Sequence, residues 1–288
     1  MKYVDRNGNV TELETGQDRL LKKMYTTVFG RFVLKILTAR CVSKICGFFL
    51  NRRISVLFIN KFIKNNNIDM SQFEERKYKS YNDFFSRKIK PGKRKINDDP
   101  NVLVSPCDGK LSVMDIDDNT VFNIKNGQYT MEMLLKNKEL AEEFKGGKCL
   151  LLRLTVDDYH RYSYPCDGKK EPDVYIKGVL HTVNPVAAEH LLIYKENSRV
   201  YTVINSEKFG KIIQMEVGAL IVGKITNHHK EEYTHSKGEE KGYFEFGGST
   251  VVLFLKKDAI EISPDIVKYA GDDCELLVKM GEELGRVN

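Results

Sequence analysis

The sequence lacks any uninterrupted apolar run long enough to cross a bilayer as a helix. Such a helix needs about 20 predominantly apolar residues. The nearest candidate, residues 32–50, is interrupted by Lys35, Arg40 and Lys44. We therefore expect association with a membrane surface without a span across the membrane.

Paired cysteines are also lacking. The chain has six scattered cysteines and no CxxC pair, and the first 25 residues are polar and charged, without the apolar stretch of a secretory signal. Reduced thiols in a cytoplasmic setting are the simpler interpretation. His228 and His229 alone do not supply zinc-ligand spacing, so no metal site is expected. The cysteines are Cys41, Cys46, Cys107, Cys149, Cys166 and Cys274.

Acidic residues are missing from one long stretch. The whole chain has 46 Lys+Arg against 40 Asp+Glu, yet Arg31–Lys64 contains eight basic residues and no acid. Basic residues mixed with apolar ones suit anionic lipid better than nucleic acid. We therefore predict a membrane partner and no nucleic-acid partner. A second basic cluster, Arg87–Lys95, is expected to add attraction for lipid headgroups.

The length and composition are those of a folded protein. The 288 residues are 41% hydrophobic and 30% charged, which is enough to bury a substantial core. After a polar lead-in at 1–17, the region to residue 66 is predicted to be helical because apolar residues recur every four positions. An ordinary core helix pair and a membrane-associating region both fit it. The spaced residues are Leu20, Met24, Val28, Phe32 and Ile36.

The basic residues of this region do not share one helix face. Arg31 and Lys35 lie on one side of an ideal helix, and Arg40 and Lys44 lie on roughly the opposite side. Either the helix breaks between the two pairs or the long side chains extend outward from an apolar cylinder.

The rest of the chain is predicted to be rich in strands. A polar connector at 67–100 precedes a body at 101–288, in which short apolar runs are separated by Gly, Asn and Asp. One helix, Thr130–Phe144, is expected to end at Gly146 and Gly147. The predicted fold class is α+β, with a basic and apolar helical region at 1–66 followed by a mainly antiparallel β body. The predicted strands are Val102–Val104, Leu111–Met114, Cys149–Val156, Val200–Ile204, Ile212–Val217, Ala219–Ile225 and Val251–Leu255.

The segment Phe244–Phe254 joins two glycines and two hydroxyl residues to a strongly apolar run. Gly-Gly-Ser-Thr on its own is usually a turn before a core strand. It also fits a self-processing site, because glycines permit strained backbone that weakens the next peptide bond. Ser249 could then attack the Gly248 carbonyl, given a base for its proton and donors for the oxyanion.

Several motifs in a fixed order resemble the phosphatidylserine decarboxylase family. Gly247-Gly248-Ser249-Thr250 is similar to the processing motif of that family, in which Leu is the more common first residue. Together the motifs cover about residues 75–255, and their ordered co-occurrence is more specific than any one of them. The other matching elements are Tyr81–Gly92, Ser105-Pro106-Cys107-Asp108-Gly109-Lys110, Asp157-Asp158-Tyr159-His160-Arg161, His181-Thr182-Val183-Asn184-Pro185 and Val217-Gly218-Ala219-(x)3-Gly223.

The resemblance implies a catalytic relay of the serine-protease type. In it Asp108 orients a histidine, and that histidine deprotonates Ser249. His160 is the predicted base, and also a proton donor in the later decarboxylation. Many relatives carry a second histidine where this chain has Ser163, so His181 is the alternative base. The histidines that rank lower are His190, His228, His229 and His235.

The resemblance also implies the cofactor and the partners. Cleavage between Gly248 and Ser249 would give a β chain, 1–248, and an α chain, 249–288, which stay associated. Ser249 would become a covalent pyruvoyl group, the pyruvate cofactor, which forms a Schiff base with phosphatidylserine and accepts the electrons released with carbon dioxide. The implied product is phosphatidylethanolamine. The implied setting is the cytoplasmic face of an anionic cell membrane, with the protein bound peripherally; a homo-oligomer is left open.

Three other interpretations remain at this point. The same pyruvoyl chemistry could act on a soluble amino acid, although such enzymes have no evident use for a basic helical region. An uncleaved Ser/His/Asp hydrolase would stay one polypeptide with a reactive Ser249. A basic lipid-binding module would be indifferent to replacement of that serine.

Overall fold

The computed structural model describes residues 2–12, 26–27, 29–30, 33, 40–124, 127–178, 197–218, 224–245, 249–270 and 274–287. Some predicted features lie outside these ranges. They include the spaced apolar residues from Leu20 to Ile36, Arg31 and Lys35, most of Ala219–Ile225, and Gly248. Those expectations stay predictions.

Strands make up most of the described secondary structure. The strands are β1 (Lys2–Val4), β2 (Val10–Glu12), β3 (Val102–Val104), β4 (Gly109–Asp115), β5 (Val121–Ile124), β6 (Gly127–Thr130), β7 (Lys148–Leu154), β8 (Arg161–Ser163), β9 (Gly168–Lys170), β10 (Val174–Ile176), β11 (Arg199–Ser206), β12 (Gly210–Gly218), β13 (Ile225–Asn227), β14 (Tyr233–His235), β15 (Glu240–Phe244), β16 (Ser249–Leu255), β17 (Glu261–Ile262), β18 (Cys274–Val278) and β19 (Glu283–Arg286).

The helices are fewer and short. The α-helices are α1 (Arg40–Leu50), α2 (Ile59–Asn65), α3 (Tyr81–Phe85), α4 (Met131–Leu135), α5 (Lys138–Glu142) and α6 (Pro264–Tyr269), and the 3-10 helices are Arg53–Phe58 and Met70–Gln72.

One large sheet organises the molecule. Its strand order is β14-β9-β11-β12-β16-β7-β4-β18-β1-β2, with β10 also paired to β11. Three smaller sheets have the orders β13-β15-β8, β17-β19-β3 and β5-β6. Among the described strands, β1 and β18 pair in parallel and the other pairs are antiparallel. The predicted α+β class with a mainly antiparallel body is confirmed.

The large sheet has an apolar core on both faces. Along β16, Val252 and Phe254 pack into one cluster with α4 and α5, whereas Val251, Leu253 and Leu255 pack into another with Tyr162 and Phe244. Successive side chains of a strand point to opposite faces. A strand that is covered on both faces therefore needs an unbroken apolar run, and Val251–Leu255 supplies it.

The predicted helix Thr130–Phe144 is wrong as a single element. The structure has α4 and α5 instead, because Lys136 takes a left-handed backbone conformation with φ of 54° and ends α4. Asn137 then starts α5, since its side-chain oxygen accepts the backbone N–H of Leu140 at 3.0 Å.

The lead-in at 1–17 is also more than a polar extension. Strand β1 pairs with β18, and β2 pairs with β1, so the N-terminus forms one edge of the large sheet. Arg6, which follows β1, joins this edge to the C-terminal part of the chain through ion pairs with Asp265 and Glu282. The short polar sequence gave no apolar alternation from which these strands could be predicted.

The helical region and the connector share a third core. Ile59 of α2 packs with Tyr81, Phe84 and Phe85 of α3, and Phe62 also contacts this cluster. The two aromatic rings of Phe84 and Phe62 lie 6.1 Å apart, edge to face. The connector therefore carries apolar side chains that join α2 to the β body.

A buried ion pair ties the small sheet of β15 to the large sheet. Nζ of Lys241 lies 2.7 Å from both carboxylate oxygens of Glu216 on β12, and both side chains are fully buried. Burial raises the pKa of Glu216, and the ammonium group of Lys241 opposes that shift.

Removing one partner of this pair should destabilise the protein strongly. Lys241→Met should lower the free energy of unfolding by about 3–5 kcal/mol, because Glu216 keeps a buried charge without a counter-ion. The double variant Lys241→Met/Glu216→Leu should recover most of that loss. Urea unfolding of the full chain carrying Ser249→Ala, which removes the serine at the predicted cleavage site, measures both. A single variant as stable as its parent would contradict this.

Candidate active site

The strand register brings the predicted site residues to one end of the large sheet. Ser249, the first residue of β16, lies opposite Leu154, the last residue of β7, and opposite Gly218, the last residue of β12. Asp108 directly precedes β4, whose Lys110 lies opposite Arg153 of β7. His160 follows β7 by a short loop.

Ser249 is fully buried at this end of the sheet. Its Oγ has no hydrogen-bond partner among the described residues, and neither has Oγ1 of Thr250. A buried hydroxyl without a partner is uncommon, because it loses its hydrogen bonds to water without replacement. The Ser249 hydroxyl is therefore unrestrained by any residue that the structure describes, on a backbone held by ladders on both sides.

One ring nitrogen of His160 makes a hydrogen bond, and the other makes none to the residues described. Nδ1 lies 3.0 Å from the backbone oxygen of Asp158, which can only accept, so Nδ1 carries the proton in the neutral ring. Nε2 is buried and has no partner in the described part of the chain. Burial lowers the pKa of His160 to about 4, so the ring is neutral near pH 7 and Nε2 is a free base.

Contacts from two sides fix the position of His160. The ring of Phe85 on α3 lies 4.1 Å from the imidazole, centroid to centroid. The backbone oxygen of His160 accepts the N–H of Phe244 on β15 at 2.9 Å. Strand β15 is the segment that leads to the predicted cleavage site, so the same backbone contact holds the histidine beside that approach.

The loop before His160 has its own anchor. Nζ of Lys110 lies 2.6 Å from Oδ2 of Asp158, and that oxygen also accepts the backbone N–H of Thr155 at 2.7 Å. Burial acts to raise the pKa of Asp158, but Lys110 and the hydrogen bonds outweigh it and hold the pKa below its usual value. The ionised Asp158 thereby fixes the backbone carbonyl that orients His160.

Asp108 is bound to Arg94 in this conformation. The guanidinium donates from Nε to Oδ1 at 2.8 Å and from Nη2 to Oδ2 at 2.5 Å. The N–H of Met280 also donates to Oδ1 at 2.9 Å, and Nζ of Lys279 lies 3.5 Å from Oδ2. Asp108 therefore joins the connector to the body, and the structure contains no hydrogen bond between it and His160 or Ser249.

The other histidines have different surroundings or lie outside the described residues. His181 and His190 fall in the undescribed range 179–196. Nε2 of His228 lies 2.7 Å from Oε1 of Glu240 near the surface, and His229 stacks on Tyr233. His235 is buried against the ring of Tyr164, with centroids 3.6 Å apart.

Position 163, where the family motif led us to expect a second histidine in many relatives, lies beside the segment that leads to Asp108. Ser163 is buried on β8, and its backbone N–H donates to the carbonyl of Pro106 at 2.8 Å. Its Oγ also lies 3.3 Å from that carbonyl.

Sequence reasoning assigned no role to Lys110, Asp158 or Arg94, although all three matter to the geometry. Lys110 and Asp158 stand inside two of the recognised motifs, so their position was visible and their pairing was not. Arg94 was counted with the basic cluster Arg87–Lys95. The structure pairs Arg94 with Asp108 and buries Arg87 fully, so neither side chain belongs to an exposed basic surface.

Neither a metal-binding cluster nor a membrane-spanning helix occurs in the described part of the chain. No group of three or more His, Cys, Asp or Glu side chains there is placed to hold a metal ion. No helix there combines the length and apolar character that crossing a membrane requires.

These features define an α+β protein that gathers a buried serine, histidine and aspartate at one end of an antiparallel sheet. The family model described as phosphatidylserine decarboxylase matches residues 81–286. A phosphatidylserine decarboxylase proenzyme 2 of Clostridium acetobutylicum is 46% identical over 93% of this chain and 92% of the relative. A phosphatidylserine decarboxylase proenzyme of Clostridium botulinum is 40% identical over 99% of each chain, and one of Clostridium perfringens is 40% identical over 91% of this chain and 90% of the relative.

The chain belongs to the phosphatidylserine decarboxylase family. The resemblance found in the ordered motifs is thereby confirmed.

The imidazole of His160 should titrate far below an ordinary histidine. Its pKa is expected at about 4 because burial disfavours the charged ring. Proton NMR of the full-length Ser249→Ala chain, with His160→Gln to assign the signal, measures it. The unfolded chain binds this proton below about pH 6.5 and the folded chain only near pH 4. Stability should therefore fall as the pH is lowered through that window, and a titration midpoint near 6.5 would contradict the assignment.

Proposed function

We propose that this chain is a proenzyme that cleaves itself between Gly248 and Ser249 and then decarboxylates phosphatidylserine to phosphatidylethanolamine. Membership of the family supports the reaction and its lipid substrate. The observation that carries the proposal for this chain is the buried Ser249 hydroxyl at the end of β7, the strand that leads to His160, whose Nε2 has no partner among the residues described. The family does not favour the alternative substrate, a soluble amino acid.

Self-cleavage begins with Ser249 as the nucleophile. Its Oγ attacks the carbonyl carbon of Gly248 while Nε2 of His160 accepts the hydroxyl proton. The Gly248–Ser249 C–N bond then breaks and the amine of Ser249 takes up a proton, which leaves an ester between the Gly248 acyl group and Oγ. A neutral histidine suits this step because only the unprotonated ring can accept the proton.

The ester then separates the two chains. Loss of the α proton of Ser249 expels the Gly248 carboxylate and leaves dehydroalanine at the start of the α chain. Its imine tautomer takes up one water and releases ammonia, which gives a pyruvoyl group. The products are a β chain of 248 residues and an α chain of 40 residues, 288 − 248.

Asp108 and His181 keep the roles proposed from the family motifs. The carboxylate of Asp108 binds Arg94 and the N–H of Met280, so orienting a histidine means that an imidazole N–H joins these donors or replaces one of them. His160 is the proposed base, because the Asp158 carbonyl already fixes its tautomer. His181 is the alternative.

The surroundings of Ser249 suit a pyruvoyl group formed from this serine itself. A pyruvoyl carbonyl supplies an acceptor for the electron pair that is released when carbon dioxide leaves the substrate. Strand β16 holds the start of the α chain through seven paired residues with β12 and seven with β7. These ladders and the apolar contacts of β16 are expected to keep the α and β chains associated after cleavage.

We also propose that α1, the following 3-10 helix and α2 dock this enzyme peripherally on the cytoplasmic, anionic leaflet. Six large apolar side chains of α1 and the 3-10 helix face outward, and Leu57 is 78% exposed, while Ile59 and Phe62 of α2 pack in the core beneath. Exposed apolar side chains surrounded by basic residues are typical of proteins that bind at the surface of an anionic membrane. The apolar patch consists of Ile45, Phe48, Phe49, Ile54, Leu57 and Phe58, and the exposed basic residues around it are Arg52, Arg53, Lys61 and Lys64.

Replacing Ser249 should abolish cleavage and decarboxylation together. Ser249→Ala removes the nucleophile and should give one full-length chain on a denaturing gel. His160→Ala should also block cleavage, whereas His181→Ala should leave it intact if His160 is the base. Ser112→Ala, in β4 of the same sheet, is the matched serine control and should cleave normally.

Two results would contradict this proposal. Full-length Ser249→Ala protein that still releases carbon dioxide from phosphatidylserine would exclude the pyruvoyl chemistry. Cleavage lost in His181→Ala and retained in His160→Ala would move the base to His181.

Polar substitution of the apolar patch should weaken membrane binding. The double variant Leu57→Ser/Phe58→Ser should lose about tenfold or more in partition to phosphatidylserine-containing vesicles, because it removes two apolar side chains from the interface. Val267→Ser is the matched control, since Val267 is 69% exposed on α6 of the β body. Sedimentation with vesicles measures the partition. Equal loss in the control and the double variant would refute this docking surface.

A further inference from the structure

Arg87 is a fully buried cation that forms no ion pair with a carboxylate in the described ranges of the chain. Its side chain is 1% exposed, and Nε and Nη1 have no hydrogen-bond partner among the described residues. Within the part of the chain that the structure describes, the guanidinium makes one hydrogen bond, from Nη2 to the backbone oxygen of Asp157 at 3.3 Å. The proposed self-cleavage does not use this residue.

Such a group is costly to bury. A guanidinium removed from water normally recovers its lost hydration through an ion pair and several hydrogen bonds. Here two aromatic faces compensate in part, with the guanidinium carbon 4.3 Å from the ring centre of Phe73 and 5.0 Å from that of Phe84. Burial lowers the pKa of Arg87 to about 10, so the group stays charged near pH 7.

A second donor without a partner lies in the same neighbourhood. The hydroxyl of Tyr78 is buried and makes no hydrogen bond in the described part of the chain. Tyr78 and Arg87 both pack on Phe84, and each influences the pKa of the other. The guanidinium of Arg76, at the surface, lies 5.2 Å from the centre of the Tyr78 ring. Arg76, which also pairs with Asp83 at 2.7 Å, and the single hydroxyl of Tyr78 thus lie on the surface side of Arg87.

This cluster adjoins the candidate active site. Asp157, whose backbone oxygen accepts the hydrogen bond from Arg87, is three residues before His160 in the sequence. Phe85 contacts the His160 ring, and the carbonyl of Ser86 accepts Nε of Arg161 at 2.8 Å. The segment that carries Arg87 is therefore fixed against the histidine on both sides.

We propose that Arg87, with the hydroxyl of Tyr78, binds an oxyanion of the substrate headgroup beside His160. The inference rests on the proposed function, because it assumes that phosphatidylserine is the substrate. The N–H groups of Nε and Nη1 have no partner in the described residues, and either can act with the second N–H of Nη2 to bind paired oxygens of a phosphate or a carboxylate. The headgroup carries both, and free phosphate has the same chemistry.

A purely structural role for Arg87 makes a different prediction. If its stacking on Phe73 and Phe84 only joins the connector to the body, its loss should reduce folding and self-cleavage and leave KM unchanged. An oxyanion site predicts that cleaved, folded enzyme has a raised KM for phosphatidylserine with kcat much less affected.

The test compares three variants of the full-length enzyme in detergent micelles of fixed phosphatidylserine content. Arg87→Gln should raise KM about 10- to 100-fold, the range expected on losing a charged hydrogen bond. Arg87→Lys, which keeps the charge, should restore part of this loss. Tyr78→Phe should raise KM about 3- to 10-fold. Arg286→Gln, an exposed arginine paired with Glu283, is the matched control.

Inorganic phosphate distinguishes the sources of the oxyanion. Competitive inhibition of the parent enzyme by phosphate, lost in Arg87→Gln, would show that free phosphate also occupies the site. Raised KM without such inhibition would identify the lipid headgroup as the ligand.

An unchanged KM in cleaved Arg87→Gln overturns the inference and leaves the proposed function intact. If Arg87→Gln fails to fold or cleave, Arg87→Lys and Tyr78→Phe decide, and an unchanged KM in both overturns it. Failure of the parent chain to cleave or to act on phosphatidylserine would instead refute the proposed function.

Discussion

The site depends on the double hydrogen-bond ladder of β16. Seven residues of this strand pair with β12 on one side and seven with β7 on the other, and their side chains are buried on both faces. The first of them is Ser249. A peptide bond broken just before Ser249 would leave these seven paired residues in place, because all of them belong to the chain that follows the cut. The proposed pyruvoyl group would therefore be attached to a strand whose position in the core is fixed.

The connector is the second structural element that the site needs. It supplies Phe85 to the ring of His160, Arg94 to the carboxylate of Asp108 and Arg87 to the carbonyl of Asp157. The same stretch packs on α2 through Phe84. The proposed membrane-docking helices and the candidate base therefore share one continuous set of contacts, so the surface that would meet lipid is close to the residues that would process it.

The sequence predicted best where one local pattern decides the structure. The unbroken run Val251–Leu255 is a strand because both faces of β16 are covered, and Val102–Val104 is β3 with the same bounds. The sequence-based predictions failed where the structure depends on the conformation of single residues or on contacts between distant segments. The split between α4 and α5 depends on one left-handed residue and one cap. The pairing of Arg94 with Asp108 joins residues of two different segments, and no periodicity in either one indicates it. The family motifs predicted Asp108, His160 and Ser249 as site residues, but only the register shows that Ser249 and Asp108 stand at the same end of the large sheet, on either side of β7.

The central claim is that the backbone before Ser249 breaks and that this serine becomes a keto group. Intact-mass analysis of the purified, active protein tests it most directly. The account predicts two chains, of which the smaller spans residues 249–288 and is lighter by one ammonia than the same peptide with an N-terminal serine. A single intact chain of 288 residues with full activity would contradict it.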